Sequence, residues 1–567
     1  MAAFSVRHAI TLDSPRSRRV VVLAERQRRA GPHLGGRVGQ VPDDARQAMP
    51  FHAATKYYSL HETDAGDERI GIGDPARRSA AIWQKDWEIK PFLHKVYETV
   101  PPIELARDLP DAARPALKAI AATGAGTSGG VLDRSLLGRL GLLTNGSLDR
   151  TWTTQDGAVH HYRTAGGTGA QYHLELYFVC TDLADLDAGV YHYSALDHSL
   201  RLLRRGDHRA ALVDATGNAP SIAAAPVVLA MTSTFWRNAW RYRERAYRHT
   251  YWDAGTSLSH ILAAAASADV ATELVFGYAD PLVDALLDVD GVRESTVALV
   301  ALGGSAGPAP DTPPPGRLDL PTRRLSTAEV TFHAITDLHR ASCLGTGVDA
   351  ADWRSRRWRR PDRPPVGELT ELAPLPDDRL DPRPVEQIIF RRRSTRKYDT
   401  GAEIPFDAFS TLLERSTRGV ASDVLTPGAP LTELHLIVNA VQGLVPGIYR
   451  HHPGRNAVEL LRGGEFRREA ARIAARQQYA GDAHVNLYYL AHLPSILQRY
   501  GDRGYRLAQL EGALHAGKLH LGTHALGLGA VGSTAFDDEV IDFFAPHADG
   551  LDYMFVTVFG KRRPRTS

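Results

Sequence analysis

Cysteine is almost absent from this chain: Cys180 and Cys343 are the only two in 567 residues. One of them ends the apolar run Leu174 to Val179, and the pair gives no basis for a disulfide framework or a cysteine metal site. No stretch approaches the roughly 18 consecutive apolar residues of a membrane-spanning helix, and the first residues lack an apolar core with a cleavage site. A cytoplasmic protein without a membrane partner is expected. Charge of one sign is also scarce. The 67 Lys and Arg residues face 65 Asp and Glu, a net +2, whereas a general nucleic-acid binder would carry a strongly basic face. None of the 24 histidines falls in a helical HExxH spacing, so no metal is expected. The composition, 43% hydrophobic and 23% charged, is that of a soluble globular protein long enough for two or more domains.

What the chain does have is a weakened copy of itself. Tyr242 and Tyr500 stand 258 positions apart, and the same offset relates Glu175 to Glu433, Gly189-Val190-Tyr191 to Gly447-Ile448-Tyr449 and Gly206 to Gly464. It also relates Arg241, Arg245, Tyr247, Arg248 and Asp284 to Arg499, Arg503, Tyr505, Arg506 and Asp542. A period this long means a duplicated domain, because solenoid repeats run to roughly 20–50 residues. Function is then to be sought where the copies differ.

The expected organisation is a basic extension over 1–50, a first copy over 51–303, a linker over 304–384 and a second copy over 385–567. Proline-rich sequence from Gly307 to Pro321 cannot pack a core, and Ser326 is expected to cap a short helix ending at Ala341. Each copy shows strand-like runs around a Gly-[VI]-Tyr hairpin, an arginine-tyrosine segment, an alanine-rich helix over 253–268 or 511–527, and a closing strand. The expected fold class is α+β, with two tandem domains, each a mixed sheet flanked by helices, forming an intramolecular pseudodimer. The alanine-rich helices suit a buried contact between them.

The second copy opens with Arg392-Arg393-Ser394-Thr395-Arg396-Lys397-Tyr398. Guanidinium forks alternating with a hydroxyl can bind phosphate, and an exposed basic turn is the competing reading. This stretch resembles the R-R-S-x-R-x-[FY] opening of the nitroreductase superfamily, flavoenzymes that bind FMN between two such domains. Gly527-Leu528-Gly529-Ala530 and Ala535-Phe536-Asp537-Asp538 are similar to that family's G-L-G and G-F-D segments. The resemblance implies flavin contacts near Thr534 and Ala535, basic phosphate contacts at Lys561 and Arg562, and a hydrogen bond to the flavin from Gln477 or Gln478, assigned to Gln478. In the first copy, Arg163 to Tyr177 resembles the R-x-A-P-S-A-G-A-L-Y-P-x-E-L-Y signature of SagB/ThcOx-type azoline dehydrogenases. Phe51 to Lys56, Trp240 to Arg248 and Asp253-Ala254-Gly255 fit the same branch. The family's proline and serine are replaced by Gly166 and Gly167, so Gly167, Thr168, Gly169 and Ala170 would meet the cofactor through backbone. The branch uses a lysine-tyrosine pair; this chain has Arg241-Tyr242. Arginine is no base, so Tyr242 is expected to take the proton, with Arg241 lowering its pKa.

The half-signatures are complementary. Copy two keeps the arginine-serine motif and copy one keeps the glycine loop, while Leu132 to Leu137 and Thr426 to Pro430 are the degenerate remnants. One competent FMN site per chain is expected, with Tyr242 catalytic and Tyr500 structural. The resemblance implies oxidation of thiazoline or oxazoline rings in a ribosomally made precursor peptide. Partners would be that peptide and a cyclodehydratase, and the chain would be a monomeric pseudodimer or a homodimer. Two other readings stay open: an NAD(P)H-dependent nitro or ene reductase, and a non-catalytic scaffold that presents a peptide.

Overall fold

Leu174–Cys180 and Thr432–Val438 are buried along their whole length, and each is the centre of a seven-stranded sheet. In the computed structural model, which describes residues 47–59, 70–72, 85–108, 114–124, 129–153, 157–361 and 363–564, the two sheets have the same strand order. The first runs Thr272–Val275, Glu294–Leu302, Val227–Thr234, Leu174–Cys180, Gly189–Ser194, Ser199–Arg205 and Pro102–Glu104. The second repeats it as Gly529–Ser533, Asp552–Gly560, Val485–Ala491, Thr432–Val438, Gly447–His452, Ala457–Gly463 and Glu368–Glu371. The fold is α+β, but every neighbouring strand pair is antiparallel, so the sheets are not mixed as expected. Tight hairpins dictate antiparallel pairing, and the longer connections here skip a strand and return in the antiparallel sense.

From the first central strand to Leu302 every strand and α-helix has its counterpart 257 or 258 positions later, as helices Phe235–Tyr242 and Leu493–Tyr500 show. Upstream the spacing changes, and two equivalences follow from contacts. Thr395 N–H donates to Ala530 O at 2.9 Å, and on the equivalent strand of copy one Thr272 N–H donates to Gly124 O at 3.0 Å. With the proline N-caps of helices Val385–Arg391 and Ala116–Ala121, Pro384 and Pro115, these contacts make the segment after Ala121 the counterpart of the segment after Arg391. Leu132 to Leu137, expected to be the remnant, instead start the helix Arg134–Asn145, with the Asp133 side chain accepting from Leu136 N–H. The second equivalence lies within the expected linker. His52 Nδ1 meets Tyr505 Oη at 3.3 Å on helix Ala48–Ala54, and His339 Nδ1 meets Tyr247 Oη at 3.3 Å on helix His333–Ala341. The latter helix has Phe332 at its N-cap; Ser326 Oγ accepts from Trp236 Nε1 instead. The basic extension over 1–50 lies outside the described residues up to position 46.

The alanine-rich segments lie on longer helices than expected, Ala246–Ser267 and Arg503–Ala525, whose first turns contain the arginine-tyrosine segments. They pack on each other through small residues. A Cβ on Gly255 would lie 2.3 Å from Leu510 O, so only glycine allows this approach. The helices are buried nearly all round, which fits a contact at the centre of a fold and not a surface helix. Among the described residues no helix is long and apolar enough to cross a membrane.

Candidate active site

Beside the crossing of the two central helices lies a cavity of about 340 Å³. Copy one contributes Gly166 to Gly169, Arg241, Tyr242, His249, Trp252 and Asp253; copy two contributes Arg392, Ser394, Arg396, His520, Thr534 and Phe555. Its size is within the ordinary range for small-molecule and cofactor sites.

At one end Arg392 follows helix Val385–Arg391. Its side chain is buried, Nε donates to Thr164 O at 3.0 Å, and no described carboxylate pairs with it. Burial holds its pKa down to about 10, and the nearby Arg150 cation adds to the depression. A buried charge is costly unless it is paired. The neighbouring histidines do not supply an anion: burial and then Arg392 itself hold His520 well below its ordinary pKa, which keeps it neutral. Arg392, Ser394 and Arg396 face one cavity and offer the donors that a phosphate monoester takes. The donor set fits the phosphate of FMN.

The glycine loop forms the wall beside Arg392, where a Cβ on Gly166 would lie 3.5 Å from Arg392 Nη1. Asp253, on the first central helix, accepts from Thr168 N–H at 2.8 Å and from Thr168 Oγ1 at 2.7 Å. Behind it His173 bridges Asp253 and Ser233, 2.9 Å from each. This chain fixes the loop, and it commits the Thr168 N–H to the protein. Gly169 adopts a left-handed φ of 61°, and a Cβ there would lie 2.4 Å from Tyr242 Oη. Glycine is needed for the backbone conformation and for room beneath the phenol. Tyr242 stands edge-on to His249 with ring centroids 4.6 Å apart, and His249 Nδ1 is 2.8 Å from Asn238 Oδ1. Since that oxygen only accepts, Nδ1 carries the proton. The Tyr242 phenol does not have the lowered pKa expected from Arg241. Burial pushes it up to about 12, outweighing the Arg241 cation, so at neutral pH the hydroxyl keeps its proton.

Of the residues expected to bind cofactor, Arg392, Ser394, Arg396, Gly167, Thr168, Gly169 and Thr534 line the cavity. Gln478 does not: it sits outside, its Nε2 donating to Asp482 Oδ1 at 3.0 Å. Gln477 lines the wall instead and accepts from the Tyr479 hydroxyl. One residue decides the matter, because Gln478 begins a helix that turns it away. Arg393 is exposed and is engaged through its backbone N–H, which donates to His524 Nε2 at 3.2 Å. Ala535 is fully buried behind the wall. Lys561 and Arg562 are held by backbone pairing with Asp399 and Tyr398 on the outer side, and Ala170 lies beyond the lining. Sequence reasoning missed Tyr57, His249, Trp252 and Phe555 as lining residues; only comparison with their counterparts in the other copy would have flagged them.

The pseudo-equivalent position is closed. Leu507, Leu510, Phe276 and Val297 stand where the first site has His249, Trp252, Thr534 and Phe555, and the gap among them is about 10 Å³. Tyr500 is buried there, its hydroxyl donating to Arg356 O at 3.1 Å. The framework of the two sites is nevertheless shared. Arg245 and Arg248 pair with Asp537 across one junction, and Arg503 and Arg506 pair with Asp280 across the other.

Comparison with known proteins places these features. The profile of the Nitroreductase family matches residues 158–304. A Methanocaldococcus jannaschii protein described as a nitroreductase is 30% identical over 153 residues, 26% of this chain and 74% of its own length. The trifolitoxin-processing protein TfxB of Rhizobium leguminosarum bv. trifolii is 29% identical over 144 residues, 24% of this chain but only 39% of TfxB. Among solved structures, one described as a nitroreductase from Anabaena variabilis superposes with a TM-score of 0.69 at 24% identity, covering 91% of this chain and 99% of its own. That likeness establishes a shared fold through both copies.

Proposed function

This chain belongs to the nitroreductase family, and from that premise we propose that it is an FMN-dependent oxidoreductase with one working site, formed by the glycine loop of copy one and the arginine-serine motif of copy two. The observation that carries the reading is Arg392, a buried cation without a described carboxylate partner at the end of a cavity that also holds Ser394 and Arg396. A dianionic phosphate supplies the missing charge. Bound FMN would accept a hydride from the substrate at its ring.

The substrate reading we favour is an azoline ring in a ribosomally made peptide, oxidised to the azole with loss of one hydride and one proton. The similarity to TfxB, a protein named for processing trifolitoxin, and the loop Arg163 to Tyr177 support it. On this reading a cyclodehydratase supplies the ring-bearing peptide. Tyr242 handles the proton at its hydroxyl, Arg241 holds charge beside the phenol, and Asp253 keeps the loop in place through Thr168. A second reading draws on the raised pKa of Tyr242. A phenol that holds its proton is suited to donate it, as reduction of a nitro or ene substrate at NAD(P)H expense would require.

Stopped-flow absorbance separates the two. Bleaching of the bound flavin by an azoline peptide, with azole appearing in equal amount, supports oxidation. Rapid bleaching by NAD(P)H with no response to the azoline peptide overturns it in favour of reduction.

A further inference from the structure

A larger cavity lies elsewhere. It measures about 680 Å³ and shares no lining residue with the interdomain site. Its inner wall is the start of helix Phe235–Tyr242, with Thr234 and Arg237. Its outer wall is the segment 317–331, which is strapped to residues 92–98 by backbone bonds from Phe92 N–H to Leu325 O, Glu98 N–H to Pro321 O and Arg323 N–H to Val96 O.

Three observations at the inner wall point to an anion. Arg237 is fully buried, and although Nη1 is paired with Glu175, its Nε and Nη2 have no partner. Thr234 is 4% exposed and its Oγ1 is likewise unpartnered. Thr234 is also the N-cap of the helix yet makes no side-chain cap; Phe235 N–H donates to Arg293 O at 3.0 Å, so the helix end keeps its positive character with part of its free donors taken. On the outer wall Arg324 has no carboxylate partner among the described residues. The acids present are largely committed: Glu294 to Lys95, Asp290 to Arg293, Asp319 to Arg317, and Asp288 to the backbone N–H groups of Leu318, Asp319 and Leu320. Glu329 remains, and burial raises its pKa. So many carboxylates would repel a dianion, but they leave room for a single negative charge between Arg237 and Arg324.

We propose that this cavity is a second binding site, for a ligand bearing a single carboxylate, held between Arg324 and the Thr234–Arg237 end of the helix. The helix connects the two sites, with Arg237 in the second cavity and Tyr242 in the first. A carboxylate of this kind can come from a free small acid or from a Glu or Asp side chain on a peptide.

Calorimetric titration of the full-length chain tests the proposal without any turnover. The probes are a capped hexapeptide whose only charged residue is one Glu, the same peptide with Gln, butyrate, and inorganic phosphate. The expected result is binding of a carboxylate probe. For the peptides, the Gln form should bind at least roughly tenfold more weakly. Arg324→Ala and Thr234→Val should each weaken the carboxylate probe while the flavin content stays unchanged. Butyrate binding as tightly as the Glu peptide assigns the site to a free acid, and binding by the peptide alone assigns it to a peptide. Equal binding of the Glu and Gln peptides without butyrate binding, unchanged affinity in both variants, or preference for phosphate would overturn the proposal.

Discussion

The two junctions between the copies share a frame and differ in their filling. In both, a pair of buried arginines crosses from one copy to an aspartate of the other and to the backbone of a short helix, as Arg248 to Asp537 and His52 O and Arg506 to Asp280 and His339 O. One frame surrounds about 340 Å³ and the other about 10 Å³. The frame is needed for the domains to stay together; the space is needed only where a cofactor sits. Once duplication places both copies in one chain, each site can change independently. Apolar residues such as Leu507 and Leu510 then close the site that lost its anion cradle, gaining burial of the order of 25 cal/mol per Å².

The sharpest way to break this comparison is to treat the two tyrosines alike. Tyr242→Phe should lower turnover by about 10²- to 10⁴-fold with flavin retained, because one proton-handling group is lost. Tyr500→Phe should leave turnover within a few-fold. Equal losses, measured by single-turnover flavin reduction, would show that the closed junction is active or that neither hydroxyl handles the proton.

A smaller effect is expected at the anion cradle. Arg392→Met removes a charge-assisted contact, and FMN affinity should weaken by roughly 10- to 150-fold. The apoprotein should be no less stable, since an unpaired buried cation is itself destabilising. Fluorescence titration with FMN and thermal melts of the apoprotein check both halves. Retained affinity would remove Arg392 from the phosphate site.

Two glycines sharpen the comparison further. Gly169 and Gly428 both have positive φ, but only at Gly169 would a Cβ meet a side chain, the Tyr242 hydroxyl. Gly169→Ala and Gly428→Ala should each cost roughly 1–2 kcal/mol from the left-handed backbone, while only Gly169→Ala slows turnover. A similar loss of turnover in both would mean that strain, not displacement of Tyr242, is responsible.

The smallest effect is a pH dependence. Asp284 is buried, and desolvation followed by Asp280 raises its pKa to about 7, whereas its counterpart Asp542 is exposed. A raised folded-state pKa stabilises most below the unfolded value of roughly 3.9, and that contribution is lost as pH rises toward 7. Asp284→Asn should therefore flatten the decline of the melting temperature between pH 4 and 7. Asp542→Asn should leave it unchanged.

Much of the fold was legible because the repeat was. The offset of 258 locates the strands and α-helices from Leu174 to Leu302 and their repeats from Thr432 onward, and burial of whole strands such as Thr432–Val438 follows from their apolar content. Earlier in the chain, insertions shift the offset. For that reason Leu132 to Leu137 resembles a remnant of the arginine motif, and the sequence does not reveal that the short helix ending at Ala341 matches Ala48–Ala54. Within the site, the motifs single out Arg392, Ser394, Arg396 and Tyr242, which line one cavity. They could not choose between Gln477 and Gln478, which depends on where a helix turns, nor show that burial outweighs the Arg241 cation at Tyr242. Both are tertiary effects with no local sequence signal.

The most direct test of one open junction and one closed junction is the flavin stoichiometry. The protein should be saturated with FMN, freed of unbound flavin and then denatured, with released flavin measured by absorbance against chain concentration. The account predicts a ratio near one FMN per chain; a ratio near two would contradict it, because the junction around Leu507, Leu510 and Phe276 would then hold a cofactor as well.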